Sequence, residues 1–239
     1  MKVSIIIPAY NEEIRIAATL KAYDAFFQKQ SNLIYELLVV INGTTDKTVS
    51  IVQELQQSMP NLLMIEIEKG GKGLAIAQGF KNSLLRDNDL IGFVDADMAT
   101  SPDAFYELIQ NLTTSDGIIA SRYMAGAVVT PARPWIKRWG SKLFFSSLVR
   151  LFFGLNYYDT QCGAKLFKRY VIENIVPYLS VQQWAFDVEI LYVCKRFGYK
   201  IKEFPTTWHD QAGSKLQTFR SGFRMLTTLV KLRWRYWFI

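Results

Sequence analysis

The residues best equipped for chemistry gather at the end of one apolar run. The stretch "FVDADMATSP", residues 93 to 102, reads as a buried strand ending in two carboxylates, Asp95 and Asp97. Side chains alternate across a strand, so both acids face one side if the extended conformation continues past Val94. Two like charges repel, and one pKa rises unless a cation neutralises them. Mg²⁺ or Mn²⁺ suits such hard oxygen ligands, and Mg²⁺ is typically held by one or two carboxylates plus substrate phosphates. Asp95 and Asp97 are therefore the expected metal ligands, gripping a diphosphate through the ion; a solvated strand end is the alternative.

Other segments add to this chemistry. In "EKGGKG", Gly70, Gly71 and Gly73 permit close backbone approach and Lys72 can meet phosphate oxygens. The segment lacks the full G-x-x-x-x-G-K-[ST] pattern, which disfavours a Walker-type NTPase and leaves a helix-capping glycine turn as the alternative. In "WAFDVEIL", Asp187 and Glu189 are candidate bases for a hydroxyl acceptor, or else polar members of a helix whose Phe186, Ile190 and Val193 pack inward. His209, the sole histidine, reads as a structural loop residue. Cys162 and Cys194 are far apart without metal-ligand spacing, so neither a zinc site nor a disulfide framework is expected, and a reducing cytosol fits best. Cys162 reads as a small buried hydrophobe.

Short β-branched runs alternating with helical periods must position these groups. Val3 to Pro8, Glu36 to Ile41, Leu62 to Ile67, Leu90 to Asp95 and Gly117 to Ser121 read as strands. Glu12 to Gln28, Asp46 to Ser58, Gly73 to Leu85 and Pro102 to Leu112 read as helices. Strands apolar on both faces and separated by helices predict a mostly parallel sheet in a doubly wound α/β layer. Ligands of such sheets bind outside the carboxyl ends of the strands. "PAYNEE", "INGTTD", "EKGGKG" and "DADMAT" all follow strands, so one crevice should collect them. Residues 123 to 180 are expected to complete the same domain.

Charge is unevenly distributed along the 239 residues, whose formal net charge is +7. Arg122, Arg133, Lys137, Arg138, Lys142 and Arg150 fall in a stretch without acids, as do Lys215, Arg220, Arg224, Lys231, Arg233 and Arg235 after Asp210. "WIKRWGSKLFFSSLVRLFFGLNYY" and "FRSGFRMLTTLVKLRWRYWFI" mix these cations with Trp, Phe and Leu. At helical spacing they read as amphipathic interfacial helices on an anionic membrane surface, with packing against the sheet as the alternative for part of the first. For the tail, Trp234, Tyr236, Trp237 and Phe238 are assigned to membrane contact. No apolar window is long enough to span a bilayer, and "MKVSIIIPAY" reads as strand rather than signal peptide. Nucleic-acid binding is disfavoured, because no recognised motif is present and the basic segments are too apolar for a solvated binding face.

"PAYNE", the D-x-D after the fourth strand and "ASRY" after the fifth resemble family 2 glycosyltransferases of the GT-A fold, the nucleotide-diphospho-sugar transferase architecture. "GKGLAIAQG", "DADMAT", "DTQCGAKLF", "WAFDVEIL" and "GSKL" resemble its dolichyl- or polyprenyl-phosphate glucosyltransferase branch, in order from Pro8 to Leu216. The resemblance implies a nucleotide-sugar donor and a lipid phosphate acceptor. It implies that Pro8, Ala9, Tyr10, Glu12 and Val40 line the nucleoside, that Asp95, Ala96, Asp97 and Met98 meet the ribose and metal, and that Lys72, Arg122 and Lys215 meet phosphates. The family's V-D-D-G-S-x-D appears here as Val40, Ile41, Asn42, Gly43, Thr44, Thr45 and Asp46. Asn42 offers one carbonyl acceptor, which suits a uracil N–H better than the two adjacent donors of guanine.

The expected arrangement is a GT-A-like domain over residues 1–217 and a basic aromatic amphipathic helix over 218–239, peripheral on the cytoplasmic face of a membrane. The expected reaction is inverting transfer of glucose from UDP to a polyprenyl phosphate, with Arg122, Arg133 and Lys215 holding two anions together. Transfer to a glycan hydroxyl with Asp187 as base, and a non-catalytic nucleotide or lipid binding module, are the rival readings.

Overall fold

The computed structural model describes residues 1–131, 146–183, 185–209 and 218–236, with side chains from 227 onward in the last stretch. The first half follows the alternation of the sequence. Strands β1 (Lys2–Ala9), β2 (Ile34–Asn42), β3 (Leu62–Ile67), β4 (Leu90–Phe93) and β5 (Gly117–Ser121) are separated by helices α1 (Ile16–Phe27), α2 (Thr48–Gln56), α3 (Lys72–Leu84) and α4 (Pro102–Asn111). After β5 come β6 (Val128–Thr130), a helix α5 over 146–153, β7 (Lys165–Lys168), α6 (Arg169–Ile175), α7 (Phe186–Arg196), β8 (Ile201–Pro205), β9 (Thr207–His209) and α8 (Thr218–Arg235).

Seven strands form one sheet in the order β3-β2-β1-β4-β7-β5-β8, and β6 pairs with β9 beside it. All pairings of the large sheet are parallel except those of β7, which lies antiparallel between β4 and β5. β7 and β8, from the region after residue 123, belong to this same sheet. The place of β7 inside the sheet was not read from the sequence.

The sheet is apolar on both faces because both are covered. Val3, Ile5 and Ile7 of β1 join the core beneath α1, α2 and α4, while Ile6 joins the opposite core with α3, α6 and α7. These four side chains are fully buried, each contributing roughly 1.5–3 kcal/mol by the usual measure of apolar burial. The order of strands reverses between β1 and β4, the switch point outside which such sheets place their ligands.

Several expectations need correction. The helix expected from Glu12 begins at Ile16, because the Glu12 carbonyl instead closes a tight turn by accepting from the Arg15 and Ile16 amides. The strand expected to reach Asp95 ends at Phe93. His209 lies on β9 rather than in a loop. Tyr236, assigned to membrane contact, is buried with Leu229 and Leu232 against α7, so α8 has a core-facing side. Trp234 is 71% exposed, and Trp237 and Phe238 lie outside the described residues. In the first aromatic segment, Val149 and Phe153 of α5 pack into the same core. No helix among the described residues is long and apolar enough to cross a membrane.

Candidate active site

The crevice opens where β1 and β4 diverge. Beyond Phe93 the Val94 amide still reaches the Ile6 carbonyl, and the chain then turns through Ala96 and Asp97 to Met98, whose φ of 60° is left-handed. Asp95 and Asp97 are therefore set by a turn and not by strand alternation. Three hydrogen bonds from α1 and β9 fix that turn: the Thr19 hydroxyl donates to the Ala96 carbonyl (2.7 Å), the Tyr23 hydroxyl to the Thr100 carbonyl (2.8 Å), and the His209 amide to the Ala99 carbonyl (2.9 Å). The Asp97 carboxylate accepts from the Ala99 amide at 3.0 Å.

Asp95 lies 2.7 Å from the Lys72 ammonium. Its carboxylate also rests on Gly163, where a Cβ would stand 1.8 Å from Oδ2, so only glycine leaves room for it. Lys72 is the first residue of α3, and the chain before it is pinned from two sides. The Gly71 amide donates to Asn42 Oδ1 (3.0 Å), while the Gly73 and Leu74 amides donate to the Gln182 carbonyl, which satisfies two of the orphan donors of the helix start. A Cβ on Gly71 would come within 2.5 Å of that same carbonyl, and Gly71 has φ of 150°.

Lys72 also lies 3.7 Å from Asp187, which in turn holds Lys165 at 2.5 Å. Lys165 is completely buried, donates to the Cys162 carbonyl and stands over the Phe93 ring. A chain of alternating charge thus runs Asp95, Lys72, Asp187, Lys165 from the crevice into the core. Burial works against the Lys72 ammonium, but Asp95 and Asp187 outweigh it and hold its pKa above the ordinary lysine value. The two lysines balance the two aspartates, which leaves Asp97 as the surplus negative charge. Burial and the neighbouring Asp95 push its pKa up, against the Ala99 amide, Arg15 and Lys72.

That surplus tests the expectation of a metal. Among the described residues no group of three or more His, Cys, Asp or Glu could cage an ion. One or two carboxylates with excess negative charge fit Mg²⁺ or Mn²⁺ completed by phosphate oxygens, the usual manner for Mg²⁺.

Arg122, at the end of β5, is clamped rather than loose. Asp159, buried in the loop before β7, accepts from Arg122 Nε (2.7 Å), Nη2 (3.0 Å) and the backbone amide (3.0 Å), and the guanidinium lies over the Trp208 ring at 4.9 Å. Burial opposes both charges and each partner outweighs it, so the Arg122 pKa rises and that of Asp159 falls. Arg133 and Lys215 lie outside the described residues.

The other expected residues divide by exposure. Pro8 is half-buried, Tyr10 is exposed, and Glu12 forms a forked pair with Arg15 at 2.7 and 2.8 Å. Ala9 and Ala96 are buried walls, and Met98 is half-buried. Val40 is fully buried beside Leu38 and Ala75 in the core beneath α3, so its side chain does not line the crevice. Asn42 is buried too; its Nδ2 donates to the Ala9 carbonyl (3.0 Å) while Oδ1 takes the Gly71 amide. Its structural work is to tie the glycine loop to β1.

The structure separates the roles of the two acids of α7. Asp187 belongs to the charge chain, whereas Glu189 accepts from the Ser180 and Val181 amides and the Ser180 hydroxyl, ordering the loop that carries Gln182. Sequence reasoning missed Lys165, Gly163 and Asp159, although all three stand in the quoted "DTQCGAKLF". A lysine between Ala164 and Leu166 in an apolar strand was the available signal. Burial pushes the Cys162 thiol up to about 12, in keeping with a packing role.

The family described as Glycosyl transferase family 2 matches residues 4–176. A dolichyl-phosphate beta-glucosyltransferase of Dictyostelium discoideum is 30% identical over 98% of this chain and 74% of its own length. Its namesake from Saccharomyces cerevisiae is 33% identical over the same shares, 98% and 74%. Among solved structures, glucosyl-3-phosphoglycerate synthase from Mycobacterium tuberculosis, in complex with Mn²⁺, UDP and glucosyl-3-phosphoglycerate, shares the fold. Its TM-score is 0.68 over 97% of this chain and 79% of that one, at 16% identity.

Proposed function

Because the chain belongs to glycosyl transferase family 2, we propose that it transfers glucose from UDP-glucose to a dolichyl or other polyprenyl phosphate, inverting C1. The relatives named above are dolichyl-phosphate beta-glucosyltransferases along nearly this whole chain. The observation that carries the acceptor assignment is the state of Asp187. It is buried and held by Lys165, with Lys72 nearby, a poor situation for a carboxylate that must take a proton from a hydroxyl. A phosphate monoester, with a second pKa of about 6, is mostly dianionic at pH 7 and needs no base. Asp187 accordingly acts as a positioning residue for Lys72.

In this reading a phosphate oxygen of the acceptor attacks C1 on the face opposite UDP. The new C1–O bond forms as the bond to the β-phosphate oxygen breaks, and UDP leaves with that electron pair. Lys72 and Arg122 are each already held by carboxylates; they would meet the diphosphate without further ordering, so electrostatic stabilisation would cost little reorganisation. Arg133 and Lys215 are proposed as further anion partners. Asp97, with Asp95 beside it, would hold Mg²⁺ or Mn²⁺, which supplies charge stabilisation to the departing diphosphate. Tyr10 and Pro8 at the end of β1 would flank the uracil, and the remaining lone pair of Asn42 Oδ1 would accept its N–H.

Such an acceptor requires work at a lipid surface, and we place the protein peripherally on the cytoplasmic face. The outer side of α8 supports the contact with a lipid surface, since Val230 and Trp234, one helical turn apart, are 40% and 71% exposed. The deciding experiment incubates the protein with dolichyl phosphate and either UDP-glucose or GDP-mannose, with Mg²⁺ or with chelator, and reads the lipids by mass spectrometry. A hexosyl-phosphoryl lipid from UDP-glucose alone, lost on chelation, is expected. A product from GDP-mannose alone, or none from either donor while UDP still binds, would overturn the reading.

A further inference from the structure

A second cavity lies away from the crevice, where α5, α7 and α8 meet. It encloses about 460 Å³, within the ~300–1,000 Å³ typical of small-molecule sites, and Phe152, Phe153, Tyr192, Lys195, Arg196 and Arg233 line it. None of the catalytic candidates takes part. Lys195 is eight residues beyond Asp187 on α7, about 12 Å along the helix at ~1.5 Å per residue.

Its lining carries three cations and no carboxylate. The side chains are steered, so the charge is fixed in place. Lys195 Nζ donates to the carbonyls of Phe153 (3.2 Å) and Gly154 (2.7 Å) at the end of α5, Arg196 Nη1 to the Tyr236 carbonyl at the end of α8 (3.0 Å), and Arg233 Nη1 to the Tyr192 hydroxyl (2.9 Å). Neutral partners orient Lys195 and Arg196 without cancelling their charge, and among the described residues neither forms an ion pair with a carboxylate. A lysine has three donors and an arginine five, so donors remain on both beyond these bonds.

One apolar side chain of the lining is exposed, and a second exposed one follows Arg233 on α8. Leu151, which also lines the cavity, is 78% exposed, and Trp234, next to Arg233, is 71% exposed. Fixed cations set between exposed apolar side chains match a ligand with an anionic head and an aliphatic tail. We propose that this cavity binds the phosphate headgroup of an anionic membrane phospholipid, with Leu151 and Trp234 against its acyl chains. The site would orient the enzyme on the bilayer by a stoichiometric contact, in addition to the diffuse attraction of its other basic residues. It rests on the reading that the protein works at a lipid surface.

The test uses the whole protein and a lipid that needs no bilayer. Dihexanoyl phosphatidylglycerol, kept below its micelle concentration, is titrated by calorimetry into the wild type, into Lys195→Gln/Arg196→Gln, and into Lys231→Gln/Arg235→Gln. Gln keeps a donor for the backbone carbonyls but removes the charge, and the second pair removes equal charge from exposed positions of α8. Saturable 1:1 binding is expected, weakened at least tenfold in the first pair and less than threefold in the second. UDP binding, measured alongside, should be unchanged in both, which establishes that they fold. Equal weakening by the two pairs, or inorganic phosphate binding as tightly as the lipid, would overturn the proposal. Glucosyl transfer is not read in this assay, so failure here leaves the acceptor assignment standing, and failure of that assignment leaves this result standing.

Discussion

From β1 to β5 the crevice wall is built from consecutive βα units whose apolar side chains enter a core on each face of the sheet, with β1, β2 and β3 side by side and β4 on the far side of β1. From Arg122 onward the opposite wall is held by buried ion pairs between distant residues: Arg122 with Asp159, and Lys165 with Asp187. Apolar packing tolerates trimming because each contact is small, whereas removing one partner of a buried pair strands the other in a medium that solvates it poorly. The second wall should therefore be the more brittle. Lys165→Met is expected to cost roughly 3–5 kcal/mol of stability, seen as a fall in Tm on the order of 10 °C for a chain of this size. Ile5→Val in the first wall should cost only about 0.5–1.5 kcal/mol. The sharper form is Lys165→Met/Asp187→Leu, which should recover most of the loss because no charge is left stranded. Equal costs for Lys165→Met and Ile5→Val would break the comparison.

The walls meet at Asp95, which comes from the first and rests on Gly163 of the second. A Cβ at Gly163 would overlap the carboxylate, but Asp95 is partly exposed and can swing towards the crevice. Gly163→Ala is thus expected to move Asp95 off Lys72 while disturbing the fold little. Transfer should fall about a hundredfold, equivalent to roughly 2.7 kcal/mol of barrier, with Tm lowered by only a few degrees. A variant with normal kcat/KM would mean that the placement of Asp95 does not depend on the second wall.

The same contrast explains what could be read from the sequence. Gly117–Ser121 was legible to the residue, and β1 and β2 nearly so, because two-faced burial writes unbroken apolar runs; the edge strand Leu62–Ile67 was legible to the residue from its apolar run although only Leu62 is buried. The resemblance of "PAYNE", the D-x-D and "ASRY" pointed to the right family. Nothing local announces that Lys165 meets Asp187 22 positions away, that Asp159 waits for Arg122, or that β7 runs antiparallel inside the sheet. The shape of the D-x-D turn was hidden for the same reason, since Thr19, Tyr23 and His209 hold it from other elements. Tyr236 was misread because aromatic residues near a chain end look alike whether they face a bilayer or a partner helix.

Tyr236 also gives the smallest test. Its hydroxyl donates to the Tyr178 carbonyl (2.7 Å) and stands 3.2 Å from Glu189, the carboxylate that orders Ser180 and Val181. Burial and Glu189 both raise its pKa, so the phenol stays neutral at pH 7. From there contacts lead through Gln182 to the Gly73 amide and so to Lys72. In Tyr236→Phe, Glu189 keeps its bonds to the Ser180 and Val181 amides, so the loop should hold and the loss should be that of one hydrogen bond, about 0.5–1.5 kcal/mol. UDP affinity should stay within twofold of wild type, by calorimetry. A large loss of UDP affinity at near-normal Tm would instead mean that α8 sets the glycine loop through Glu189, and that the second wall is brittle in its polar loop contacts as well as in its ion pairs.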